Sequence, residues 1–147
     1  MRCRPLLAGI LVAVSVLAWA RKEETVEQLQ ARAEHALPEE RPEIYAEIAR
    51  RYVAAADQSY TDGKVDVARQ SLDSAVTAAE KARDSAIAIN KKLKNVEIAV
   101  RKMASRLREI KRTVNFEDQP VVQTAIDHME RIRTDLLSKM FGAKDGK

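Results

Sequence analysis

Hydrophobic positions recur every three or four residues between Lys64 and Val114, a stretch without Gly or Pro. Fifteen positions follow a strict alternation of three and four residues, all of them are apolar, and together they form what we term the apolar seam. The apolar seam comprises Val65, Ala68, Leu72, Ala75, Ala79, Ala82, Ala86, Ile89, Leu93, Val96, Val100, Met103, Leu107, Ile110 and Val114. This pattern predicts one long heptad-patterned helix with a partner along its length. A kink between Asn90 and Asn95 is compatible with the pattern but not required by it.

Three shorter helices are predicted around the long one, because the helix-breaking residues are clustered at a few points of the chain. They run from about Arg21 to Ala36, from Pro42 to Asp62, and from Pro120 to Gly142. Glu23 and Glu24 fall in the first predicted turn, where negative charge suits the helix dipole. The sequence therefore predicts an all-α fold, a helical hairpin or bundle of four helices built on the long helix.

Residues 1–20 have the three parts of a secretory signal peptide. Two arginines precede an uncharged run from Pro5 to Ala20, which ends in the small-x-small triplet Ala18-Trp19-Ala20. We expect cleavage after Ala20 and export to the periplasm or the exterior, and a retained N-terminal membrane anchor is the alternative. Cys3 is the single cysteine and would leave with the signal, so the mature chain would form no disulfide.

The composition suits one modest helical domain. Of 147 residues, 46% are hydrophobic but only 4% are aromatic, and alanine is the most frequent hydrophobic residue. Such a core is thin and favours helices that approach one another closely. We expect this domain to cover residues 21–141, followed by a flexible tail at 142–147.

The side chains of the apolar seam change in size midway. From Ala68 to Ala86 nearly all are alanine, which suits a close antiparallel hairpin with the second helix through Asp62-Gly63. The second half has larger side chains, and the fourth helix can cover only part of them. We therefore expect this half, termed the docking seam, to bind a helix of a second copy or of a partner protein. The docking seam comprises Ile89, Leu93, Val96, Val100, Met103, Leu107, Ile110 and Val114.

Charge is divided between the two halves of the chain. Residues 21–90 contain 14 acidic and 10 basic residues, a net charge of −4, whereas residues 91–147 contain 14 basic and 8 acidic residues, a net charge of +6. The most basic part, termed the basic face, comprises Lys91, Lys92, Lys94, Arg101, Lys102, Arg106, Arg108, Lys111 and Arg112. It could bind an anionic envelope polymer or lipid, and the alternatives are a solvated face or a face complementary to the acidic first two helices. Nucleic acid is not expected, because no aromatic residues are interleaved for base stacking.

Aromatic, aliphatic and small residues are regularly spaced in the second helix and the start of the third. These positions are Tyr45, Ile48, Tyr52, Ala68, Leu72 and Ala75. Their spacing resembles the helical hairpin of the tetratricopeptide repeat. The resemblance implies a peptide-binding adaptor where such a hairpin contributes a groove, and the alternative is a generic antiparallel hairpin packed by these six side chains. No second copy of the pattern follows, so we do not expect a stack of repeats.

The sequence has few groups suited to catalysis. His35 and His128 are far apart and lie beside the apolar faces of their helices, and there is no Gly-rich phosphate loop, nucleophile elbow or HExxH spacing. We expect no cofactor, no metal and no enzyme activity. The sequence thus predicts an exported adaptor or scaffold that acts by helix-helix docking. The alternative is a periplasmic anion-binding or chaperone-like protein that uses its basic face.

Overall fold

The computed structural model describes residues 23–142, and this part of the chain forms five α-helices without β-strands. The helices are α1 (Val26–His35), α2 (Arg41–Thr61), α3 (Val65–Ile89), α4 (Leu93–Thr113) and α5 (Gln119–Phe141). The all-helical prediction is confirmed. The predicted signal peptide lies outside the described residues, as does the predicted tail beyond residue 142.

The boundary of α1 differs from the prediction at its start. Thr25 is the N-cap: its hydroxyl accepts the backbone N–H of Gln28 at 3.2 Å, and its own N–H donates to the Gln28 side chain at 2.9 Å. This reciprocal pair satisfies two backbone donors, so the helix begins at Val26. Glu23 and Glu24 precede the helix, and the prediction that they lie in its first turn is wrong.

In the described fold the predicted long helix is two helices and the helix count is five instead of four, so the prediction of a single rod is not confirmed. Asn90 ends α3 with φ 52°, and Lys92 precedes α4 with φ 63°, so both residues adopt left-handed backbone. Residues 90–92, termed the joint, reverse the chain inside the region where the sequence allowed a kink. Folding back lets the two halves of the apolar seam share one core, and such tertiary burial routinely outweighs local helix propensity.

The four longer helices form two antiparallel hairpins, α2–α3 and α4–α5, that lie side by side. Contacts near their starts (Glu43 with Asn95) and near their ends (Asp57 with Arg106) show that α2 and α4 run parallel. Two ion pairs, one at the N-cap of α5 and one in its last third, join α3 to α5 in the same parallel order. Among the described helices, the short α1 packs against α2 alone.

Side-chain size differs between the two hairpins. The α2–α3 pair is the most extensive contact between helices, and Ala49, Ala56, Ala79 and Ala82 are fully buried in the core. Because alanine adds little bulk, the two helix backbones can approach closely. The α4–α5 hairpin instead fills the core with larger side chains, including Leu107.

Candidate functional site

The docking seam lies inside the chain's own core. Six of its eight residues are buried: Leu93, Val96, Val100, Met103, Leu107 and Ile110. Ile89 and Val114, at its two ends, are partly exposed. The covering helices are α5, α2 and α3 of the same chain. The expectation that this face remains free for a partner is therefore wrong for the described fold, because α2 and α3 add to α5 the cover that the sequence assigned to a partner helix.

The basic face is largely engaged by carboxylates of the chain itself. Five of its nine residues form ion pairs: Lys91 with Glu39, Lys92 with Glu43, Arg101 with Glu97, Arg106 with Asp57, and Arg108 with Glu130. Lys111 donates a hydrogen bond to Gln123 at 2.7 Å. Between residues 23 and 142, no carboxylate forms an ion pair with Lys94, Lys102 or Arg112. Three of these pairs, those of Lys92, Arg106 and Arg108, connect α4 or its N-cap to α2 or α5.

A buried carboxylate on α4 is a feature that sequence reasoning missed. The Glu97 side chain is only 9% exposed and accepts a hydrogen bond from Arg133 Nε of α5 at 2.8 Å. Arg101, one turn further along α4, lies 3.8 Å away. The four-residue spacing of Glu97 and Arg101 was a visible signal of an ion pair, but nothing in the sequence pointed to Arg133. This pair links α4 to α5.

An open groove of about 690 Å³ lies between α2 and α4, which contact each other less than the helices within either hairpin. We term it the α2–α4 groove. Its floor is formed by small and aliphatic residues, namely Ala46, Val53, Ala54, Val96, Ile98, Ala99 and Met103. Ala54 is exposed, and Ile98 and Ala99 are half-buried, so apolar surface reaches solvent here. Its volume lies within the range typical of binding sites, about 300–1,000 Å³.

The walls of the α2–α4 groove carry charges of both signs. Near one end Asn95 donates a hydrogen bond to Glu43 at 2.7 Å, and near the other Arg106 pairs with Asp57. These contacts bridge α2 to α4. Lys102 also lines the groove, and it has no ion-pair partner among the described residues.

Most carboxylates of the α2–α4 groove are already satisfied within the chain. A hydrogen bond from Asn95 holds the pKa of Glu43 below its ordinary value of 4.5. A hydrogen bond from Arg50 likewise lowers the pKa of Glu47, although partial burial opposes the shift. Both carboxylates are therefore ionised at neutral pH and their charges are partnered. Among the described residues that line the groove, Lys102 has a positive charge without an ion-pair partner.

Sequence reasoning missed the α2–α4 groove because the solvent-exposed part of its floor lies beside the predicted apolar faces. Ile98 and Ala99 are apolar residues of α4 that do not belong to the apolar seam. Such apolar residues outside a complete heptad pattern were the sequence signal that could have indicated a second apolar surface on α4. That they face α2 across an open groove depends on the packing of the two hairpins.

The residues that resemble a tetratricopeptide hairpin lie in α2 and α3. Ile48, Ala68, Leu72 and Ala75 are buried, whereas Tyr45 and Tyr52 are half-buried. The Tyr52 hydroxyl accepts a hydrogen bond from Gln30 of α1 at 3.3 Å, and Lys81 lies 5.7 Å from the ring centre of Tyr45. A second hairpin, α4–α5, follows without repeating this sequence pattern. The α2–α4 groove lies between the first helices of the two hairpins.

His35 and His128 lie on different helices, and the 23–142 region contains no group of three or more potential metal ligands. None of the five described helices combines the length and hydropathy that a membrane crossing requires. No protein-family model, characterised protein or solved structure matches this chain.

Proposed function

We propose that this chain is an exported, non-enzymatic interaction protein that binds a helical segment of a partner protein in the α2–α4 groove. The observation that supports this proposal is the groove itself, an apolar floor open to solvent between two parallel helices. Amphipathic helices commonly dock with their apolar face in such a groove. Docking would then use the exposed edge of the docking seam, where Ile98 and Ala99 lie beside the buried Val96 and Met103.

The dimensions of the α2–α4 groove suit a helix of about four turns. Its bridged ends, at Glu43 and Asp57, are 14 residues apart on α2. At 1.5 Å per residue this separation corresponds to roughly 21 Å. A partner helix of that length presents apolar side chains at positions i, i+3 or i+4, and i+7. The alanines of the floor let its backbone approach closely.

The free charge of the α2–α4 groove specifies the polar side of the partner. Lys102 lines the groove without an ion-pair partner among residues 23–142. A carboxylate on the bound helix would supply that partner. Because rim charges contribute more to orientation and specificity than to affinity, we expect this pair to set the direction of the bound helix.

Export is the part of the proposal that rests on residues 1–20 of the sequence, and a retained N-terminal anchor is its alternative. Mass spectrometry of the chain from its native host distinguishes cleavage after Ala20 from retention of the full N-terminus. The anion-binding alternative for the function has less support, because five of the nine basic-face residues already pair with carboxylates of the chain.

The experiment is a selection from a displayed library of amphipathic helices about four turns long. Selected peptides are labelled, and their affinities are measured by fluorescence anisotropy. Ala54→Arg places a bulky charged side chain in the α2–α4 groove. Ala55→Arg is the matched control, since Ala55 is the next residue of α2, is also exposed, and does not line the groove. We expect Ala54→Arg to weaken binding by about tenfold or more and the control to leave it unchanged.

A charge reversal tests the role of Lys102. Selected peptides should carry a carboxylate, and replacing it by lysine should weaken binding to the unmodified chain. Lys102→Glu should reverse that preference. Failure to select any helix, or selected helices that bind Ala54→Arg as well as Ala55→Arg, would refute the proposal.

A further inference from the structure

The joint between α3 and α4 has a backbone that its sequence does not favour. Asn90 and Lys92 both have positive φ, a conformation that suits glycine, and the segment contains neither Gly nor Pro. Asparagine tolerates this conformation, but lysine has no special tolerance of it. The apolar seam meanwhile continues in register across the joint, from Ile89 to Leu93. Local preference for a continuous helix therefore conflicts with the observed reversal.

Only the joint connects the two hairpins covalently. Among residues 23–142, most of the remaining links between them are contacts of α2 with α4 and of α3 with α5 and α4. A joint that straightens into helix would merge α3 and α4 into one helix over residues 65–113. The α2–α3 hairpin of one copy could then pack on the α4–α5 hairpin of another, with the same side-chain contacts between copies instead of within one chain.

We propose that this chain forms a two-fold symmetric dimer by exchanging hairpins at the joint. In a single chain α3 and α4 run in opposite directions, so the two straightened helices of the dimer would be antiparallel. This arrangement is closed, because each copy gives and receives one hairpin. The partner is a second copy of the chain, and the single long helix indicated by the heptad pattern is the form it adopts in the dimer.

An exposed apolar patch lies at the end of the bundle that carries the joint. Leu37 is 67% exposed, and together with Pro38 and the partly exposed Ile89 it lines an open cleft that includes Lys91. In the exchanged dimer the two bundles meet at this end. The second copy would therefore cover apolar surface that a single chain leaves in water.

Two exposed ion pairs hold the joint in its reversed form. Lys91 of the joint pairs with Glu39 at 2.5 Å, and Lys92 pairs with Glu43 at 3.3 Å. Salt screens such pairs. We therefore expect the fraction of dimer to rise with ionic strength, in contrast to assembly that depends on attraction between opposite charges.

Light scattering coupled to size-exclusion chromatography, after refolding over a range of concentrations, measures the equilibrium. The double variant Asn90→Ala, Lys92→Ala raises helix propensity and removes the residue that tolerates left-handed backbone. We expect it to lower the dimer dissociation constant by about tenfold or more, because strain is relieved in both copies. Replacing the same two residues by glycine should favour the monomer. Lys94→Ala is the matched control and should change nothing, because Lys94 is an exposed residue of α4 without an ion-pair partner among the described residues.

A cross-link distinguishes exchanged hairpins from any other dimer. Arg83 of α3 and Asp135 of α5 pair at 2.9 Å, outside the α2–α4 groove. Arg83→Cys and Asp135→Cys are combined with Cys3→Ser and treated with a short bifunctional maleimide. In the isolated dimer fraction we expect a covalent dimer, since the pair would join two copies.

Cross-links within single chains of the dimer fraction would overturn the proposal. It would also be overturned if the alanine double variant and Lys94→Ala had equal dissociation constants, or if both remained monomeric at every concentration. Exchange retains the α2–α4 groove, now formed between copies, so peptide binding and dimer formation are independent readouts. Either proposal can fail while the other holds.

Discussion

Leu107 provides a sharp test of whether the docking seam is core. Its side chain is fully buried on α4. Leu107→Ala removes three carbon atoms from this environment, which costs roughly 2.4 kcal/mol at about 0.8 kcal/mol per methylene. The cavity that remains adds to this cost, so we expect a total of about 3 to 5 kcal/mol. That is a large part of the roughly 5–15 kcal/mol by which domains are stable.

The measurement is urea unfolding followed by far-ultraviolet circular dichroism. Leu37→Ala is the matched control, because it is the same substitution at a leucine that is 67% exposed. Surface substitutions usually change the free energy of unfolding by less than about 0.5 kcal/mol. We expect a much lower midpoint for Leu107→Ala than for Leu37→Ala, with similar slopes for both.

Equal midpoints for the two leucine variants would refute the reasoning. They would mean that the chain's own helices do not cover Leu107, and the docking seam would again be a candidate surface for a partner. Sedimentation of both variants at the same concentration shows whether association with a second copy contributes to the difference.

Three further predictions concern packing and charge. Glu97→Ala leaves Arg133 of α5 without its buried acceptor and should lower the free energy of unfolding by about 1–3 kcal/mol. Glu109→Ala, at an exposed position, is the control and should have little effect in the same urea titration. Ala79→Leu overpacks a fully buried position of α3 and should cost about 1–3 kcal/mol, and a thermal midpoint equal to that of the unmodified chain would contradict the close packing of α2 and α3. The pKa values of Glu43 and Glu47 are lowered in the folded state, so their contribution to stability is complete above about pH 4.5 and declines as the pH falls further. We therefore expect the urea midpoint to decrease when it is measured at successively lower pH values. A midpoint that rises on acidification would contradict the assigned hydrogen bonds.

Helix content and several helix ends were predictable because they depend on neighbouring residues. Pro42 lies in the first turn of α2, and Gly63, with φ 74°, lies in the turn to α3. The start of α1 was predicted too early, because Thr25 and Gln28 form a capping box that outweighs the two preceding glutamates.

The α2–α4 groove could not be predicted, because it depends on contacts between distant residues. The heptad pattern identifies which face of a helix requires burial, but it does not identify the surface that covers this face, because any apolar surface can do so. Ile98 and Ala99 face a groove only because α4 lies parallel to α2. The basic face similarly suggested an external anion, whereas the fold brings Glu39, Glu43 and Asp57 of the chain's N-terminal half to meet it.

The amino-acid sequence alone determined that this chain is helical and which side chains require burial. Only the tertiary structure decided that the apolar seam is divided and covered by its own chain. A left-handed residue other than glycine costs about 1–2 kcal/mol, and the joint has two. Burial of a large apolar side chain contributes about 1.5–3 kcal/mol, and the docking seam buries six. The local cost is therefore outweighed by burial that becomes available only when distant helices meet.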